Sequence, residues 1–115
     1  MITASIRAGG DEEQALVERV GAAARAGVHL IQIRQPQFEG RALSRLVERS
    51  VRAAEGTAAR IVVNERADVA IVSGAHGVHL RAGSMPAARA RAIAPRGFVI
   101  GRSVHSAGEG TRVAE

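Results

Sequence analysis

The chain has 115 residues, enough for one small domain with a modest core, and its 46% hydrophobic and 23% charged content is ordinary for a globular protein. It carries no cysteine, which excludes disulfides and thiolate metal sites, and no apolar run near the ~20 residues of a membrane span. The net charge is +5 and all 16 basic residues are arginine, but they are scattered, and only Phe38 and Phe98 could stack on bases, so the charge reads as a solvated surface rather than a nucleic-acid interface.

The N-terminus, MITASIRAGGDEE, lacks a signal-peptide layout, which places the chain in the cytoplasm. Ile2 to Ile6 predicts a short first strand and Gly9-Gly10 a turn. Asp11 is the N-cap candidate of a helix running to about Ala26, with Leu16, Val20 and Ala23 or Ala24 at helical spacing and Gly27 as its C-terminal stop. His29 to Arg34 predicts a second strand with Gln32 and Arg34 on one face. Glu39 to Glu55 predicts a helix that buries Leu43, Leu46, Val47, Val51 and Ala54 and wets Arg41, Arg45, Glu48, Arg49 and Arg52.

Arg60 to Asn64 is the third strand, Ala67 to Ser73 a short helix and Gly77 to Leu80 the fourth strand. Their apolar runs do not alternate, the pattern of parallel strands covered on both faces. Pro86 suits the first turn of a helix to Ala94, Phe98 to Ser103 is the fifth strand, and Ala107 to Glu115 opens a further helix, with Ser106 and Glu109 spaced as a capping box. The sum is a single domain over 1–115 of α/β class, with strands and helices in strict alternation.

In parallel sheets the polar groups at the carboxyl ends of strands face the ligand crevice. Asn64, Glu65, His79 and Arg81 sit at such ends. Arg34 offers a bidentate phosphate donor, with Gln32 able to orient the same group. Structural alternatives stand beside these: Gln32 satisfied in the interior, Glu65 paired with Arg34 or Arg66, and His79 held by a neighbour. No nucleophile elbow, dinucleotide fingerprint or His-rich metal spacing occurs.

Four ordered stretches, HLIQIR (29–34), VNERADVA (63–70), GAHGVHL (74–80) and IGRSVHS (100–106), resemble the thiamine phosphate synthase/TenI superfamily. The resemblance implies a (β/α)₈ barrel, of which this chain would supply about the first five strands. A typical barrel needs ~250 residues, so the expectation is a truncated chain, or one whose open sheet edges a homo-oligomeric partner covers. It also implies small-molecule thiazole and pyrimidine phosphates as partners, with no nucleic acid and no membrane. The matching positions Gln32, Arg34, Asn64 and Ser103 would hold phosphate, with His79 and His105 beside them. Glu65 would be a Mg²⁺ ligand only if the chain is synthase-like; a TenI-like chain needs no cofactor.

Pro36 where synthases usually carry Lys, Ser84 where they carry Asp, and Arg102 in IGRSVHS lean the resemblance toward the TenI branch, a thiazole tautomerase. Thiamine-phosphate synthase and a non-catalytic phosphate-ligand-binding regulator are the alternatives. The catalytic His of the TenI branch would lie beyond Glu115, so the chain alone is expected to show little or no turnover.

Overall fold

The computed structural model describes residues 1–81, 86–103 and 111–114, the last in their backbone. The elements are α1 (Gly10–Arg25), β1 (Leu30–Ile33), α2 (Gly40–Ala53), β2 (Arg60–Asn64), α3 (Ala67–Val72), β3 (Gly77–Leu80), α4 (Ala87–Ile93), β4 (Val99–Ser103) and β5 (Thr111–Ala114). They form one sheet in the order β1-β2-β3-β4-β5. The first four strands pair in parallel, with Ile31 beside Ile61, Val63 beside Val78 and Val78 beside Ile100.

Side-chain alternation splits the sheet into two faces. One carries Ile31, Ile33, Ile61, Val63, Val78, Leu80 and Ile100, all with no accessible surface, packed with Leu16 and Val20 of α1 and Leu46 and Val47 of α2 in one core cluster. The other face is not covered as the apolar runs suggest. Among the described residues it forms a recess of about 220 Å³ lined by Gln32, Val62, His79 and Gly101, with Leu30, 44% exposed, and Ile2, 59% exposed, at its margin.

Two expected elements differ. Ile2 to Ile6 is not a strand: only Ile2 bridges Gln32, through Thr3 N–H to Gln32 O at 3.0 Å and Gln32 N–H to Met1 O at 2.7 Å. The cause is the buried Gln35 side chain. Its amide donates to Thr3 Oγ1 at 3.1 Å and to Ala4 O at 2.7 Å, and accepts from Ile6 N–H at 3.0 Å. A side chain thus satisfies backbone groups that a ladder would otherwise hold. The helix expected from Ala107 is replaced over Thr111–Ala114 by β5, antiparallel to β4, with Ser103 beside Thr111. Gly108 and Gly110 each disfavour a helix by about 1 kcal/mol, and the open edge of β4 presents unpaired peptide groups for a strand to take. Residues 107–110 and Glu115, and the capping pair Ser106 and Glu109, lie outside the described residues.

The N-cap of α1 is Gly9 at φ 78°, not Asp11, which lies in the first turn. Glu13 makes the cap contact from inside the helix: its Oε2 accepts the Gly9 N–H at 2.6 Å. Its Oε1 lies 3.2 Å from Arg49 Nη1 and 3.7 Å from Arg45 Nε, so a carboxylate 1% exposed ties α1 to α2. Two arginines assigned to the wet face therefore lean inward on a buried charge. Ser50, not Val51, completes the buried stripe of α2, with its hydroxyl donating to Leu46 O at 2.9 Å.

β3 and β4 approach too closely at Gly77 for any side chain, since a Cβ there would fall 2.2 Å from Val99 O. Glu13→Ala removes charged hydrogen bonds of the kind that contribute about 1.5–3 kcal/mol each, so it lowers the urea midpoint by an amount equivalent to roughly that loss. Gly77→Ala also lowers it, because the β3–β4 ladder must open by more than an ångström. A midpoint unchanged in both variants contradicts this packing.

Candidate functional site

Parallel pairing brings the carboxyl ends of β1 to β4 to one edge of the sheet. A recess of about 140 Å³ opens there, lined by Arg34 after β1, Asn64 at the end of β2, Glu65 and Arg66 just past it, and Arg81 after β3. Its lining holds three arginines and one carboxylate, an excess of two positive charges among the lining side chains. Arg66 also leans on the exposed Asp68 at 3.8 Å.

Arg34 is placed by its backbone, whose N–H donates to Thr3 Oγ1 at 3.0 Å instead of continuing the ladder. That departure separates two residues expected to work together. Gln32 lines the open-face recess with His79, whereas Arg34 lines the recess at the strand ends. His79 stands beside Asn64 in the β2–β3 register and so lies at the junction of the two.

Glu65 has the only positive φ, 71°, of any non-glycine among the described residues. A left-handed residue with a side chain costs about 1–2 kcal/mol, and such strain collects at functional sites. Hydrogen bonds hold it: Glu65 N–H donates to His79 O at 2.8 Å, Glu65 O accepts Ala67 N–H at 2.9 Å, and Oε2 accepts the Arg81 N–H in a short bond. Arg81 Nε lies 3.9 Å from the same oxygen. Arg102 Nη1 donates to Arg81 O at 3.2 Å, so the Arg81 backbone is held on both its N–H and its carbonyl side.

His79 is 8% exposed. Burial lowers its pKa below 6.5; Glu65 opposes the shift and Arg34 adds to it. The imidazole is therefore neutral at pH 7, a hydrogen-bonding group rather than a cation. Ser103 ends β4 in the expected strand, beside Thr111 of β5; its side chain, His105 and Ser84 lie outside the described residues.

Mg²⁺ favours one or two carboxylates with further oxygens in octahedral array. The described residues hold no cluster of three His, Cys, Asp or Glu that could bind a metal. Glu65, the carboxylate of the recess, shares its Oε2 with the Arg81 N–H and lies 3.9 Å from Arg81 Nε, in a recess that Arg34 and Arg66 also line. One carboxylate with a shared oxygen is too few protein donors, among the described residues, to hold a resident Mg²⁺ without a ligand's own oxygens.

The sheet and the recess at its strand ends define an α/β protein whose basic side chains gather where its parallel strands end. The family model described as thiamine monophosphate synthase matches residues 2–115. Thiamine-phosphate synthase of Methanoculleus marisnigri is 41% identical over 92 residues, covering 80% of this chain and 44% of that protein. Its counterpart in Chlorobium luteolum is 36% identical over 99 residues, covering 86% and 47%. Among solved structures, thiamine phosphate pyrophosphorylase from Pyrococcus furiosus superposes with a TM-score of 0.72 at 31% identity, covering 91% of this chain and 48% of that one. The chain belongs to the thiamine monophosphate synthase/TenI family, and its fold is the α/β fold of that structure. It spans about half the length of the curated relatives it matches. Those relatives carry the name of the synthase, the alternative reading, and not of the tautomerase branch toward which Pro36, Ser84 and Arg102 lean. Arg102 has a local explanation in its bond to Arg81 O. No helix among the described residues is long and apolar enough to cross a membrane.

Sequence reasoning placed Arg34, Asn64 and Glu65 in the recess, noted Arg81 only as a strand-end residue, and left out Arg66. The signal for both was present: each lies within two residues of a strand's carboxyl end. The electrostatics yield a direct check by NMR titration of the His79 ring. The wild type titrates below pH 6.5, Arg34→Gln moves the titration up, and Glu65→Gln moves it down. Shifts of opposite sign, or none, contradict this arrangement.

Proposed function

We propose that the chain carries the diphosphate-holding part of a thiamine-phosphate synthase site. The reaction class joins a pyrimidine diphosphate to a thiazole phosphate and releases pyrophosphate. The observation that carries the reading is the meeting of Arg34, Asn64, Arg66 and Arg81, from the ends of three strands, around one recess with excess positive charge. The names of the relatives support it, since each refers to thiamine phosphate.

Within that reading each residue has a bounded task. The guanidiniums neutralise the charge that builds on the diphosphate as its bond to the pyrimidine methylene breaks, the electrostatic contribution that most lowers such barriers. The Asn64 side chain orients a phosphate oxygen. Neutral His79, where the recess meets the open apolar face, offers a hydrogen bond to the heterocycle without adding a charge. Val62 and Gly101 of that face provide an apolar floor for a flat ring. Barrel sites draw on many strand ends at once, so the reading is tested on binding.

Isothermal titration of the 115-residue chain with a hydroxymethylpyrimidine diphosphate gives a saturable heat. Arg34→Met weakens that affinity about 10- to 100-fold, the loss of a charge-assisted pair. Absence of saturable binding, or affinity unchanged in Arg34→Met, overturns the proposal.

A further inference from the structure

Resting on that phosphate-site reading, we infer that Glu65 is a positioning residue that holds Arg81 over the recess, and that arginine charge replaces a divalent cation in binding diphosphate there. One oxygen of the Glu65 carboxylate is committed. Its Oε2 accepts the Arg81 N–H and also faces the Arg81 guanidinium, at 3.9 Å. A cation bound at that oxygen would compete with a peptide donor and sit among the guanidiniums of Arg34, Arg66 and Arg81. The carboxylate instead fixes where Arg81 begins its path away from β3.

A second, independent grip supports the same role. Arg102 Nη1 donates to Arg81 O at 3.2 Å, so the backbone of Arg81 is held on its N–H side by Glu65, just past β2, and on its carbonyl side by Arg102 of β4. Two side chains spent on one exposed residue's backbone fix its position more than packing requires. The left-handed backbone of Glu65, φ 71°, aims its carboxylate across to β3, and the Glu65 N–H to His79 O bond at 2.8 Å keeps it there. The segment after Arg81, Ala82-Gly83-Ser84-Met85, contains no carboxylate to share a cation. Diphosphate oxygens entering the recess therefore meet guanidinium donors, which bind such groups through paired hydrogen bonds.

The test measures inorganic pyrophosphate binding by isothermal titration at fixed ionic strength, once in EDTA and once in excess Mg²⁺. The inference gives saturable binding in EDTA, with an affinity no weaker than in Mg²⁺. Arg81→Met reduces it at least 10-fold. Glu65→Gly, which suits the left-handed backbone but removes the clamp, reduces it several-fold, and Glu65→Gln, which keeps an acceptor for the Arg81 N–H, retains it. Circular dichroism melts on each variant establish that the fold persists. Binding at least 10-fold tighter in Mg²⁺, with the gain lost in Glu65→Gln, overturns the inference while leaving the phosphate site standing. No pyrophosphate binding in either buffer overturns both.

Discussion

The parallel register of β1 to β4 is the constraint on which the rest depends. Once Ile31, Ile61, Val63, Val78 and Ile100 commit their face to the helices, every one of these strands must end on the same edge. The residues that follow the strands are then neighbours in space although they lie up to 47 positions apart, from Arg34 to Arg81. The core selects the sheet, and the sheet selects which polar groups meet. The chemistry is a consequence of aliphatic packing in a chain with only two aromatic residues.

The strand-end edge shows how a small fold balances charge. Arginine is the sole basic residue type here, and a guanidinium cluster needs something to keep its members apart and aimed. Glu65 does this at the cost of an unfavourable backbone conformation, offset by the hydrogen bonds it makes to β3 and to the start of α3. On the far side of the core, Glu13 performs a comparable task for Arg45 and Arg49, where the result is helix packing rather than a site. The same pairing of chemistries thus yields a structural tie when buried and an open, arginine-lined recess when left half-open.

Much of this was legible in the sequence. The positions of β1 to β4 and α1 to α4 follow from apolar periodicity and from glycines such as Gly27 and Gly56, which take the left-handed conformation at helix ends. That Arg34, Asn64 and Glu65 share one recess was legible because strand ends in parallel sheets have a known polarity. What was not legible depends on long-range side-chain contacts. Nothing local says that Gln35 will capture the backbone of Ala4 and Ile6 and dissolve a strand, or that Glu13 will be buried under Arg49. Thr111 to Ala114 reads as a helix until the open edge of β4 is considered, and that edge exists only in three dimensions. The branch within the family was not legible for a related reason: Arg102 leans the sequence toward the tautomerase branch, whereas its bond in the structure is to the backbone of Arg81 and the relatives carry the synthase name.

The chain has a second basic hollow at the opposite pole of the sheet, beside Arg60, His76 and Arg96, which makes a direct contest possible. The decisive measurement is a titration of the ¹⁵N-labelled chain with inorganic phosphate, following every backbone amide. The account requires the largest shifts at Arg34, Glu65, Arg66 and Arg81, with Arg60, His76 and Arg96 moving little. Shifts concentrated at the opposite pole, or spread evenly over the surface arginines, would contradict it.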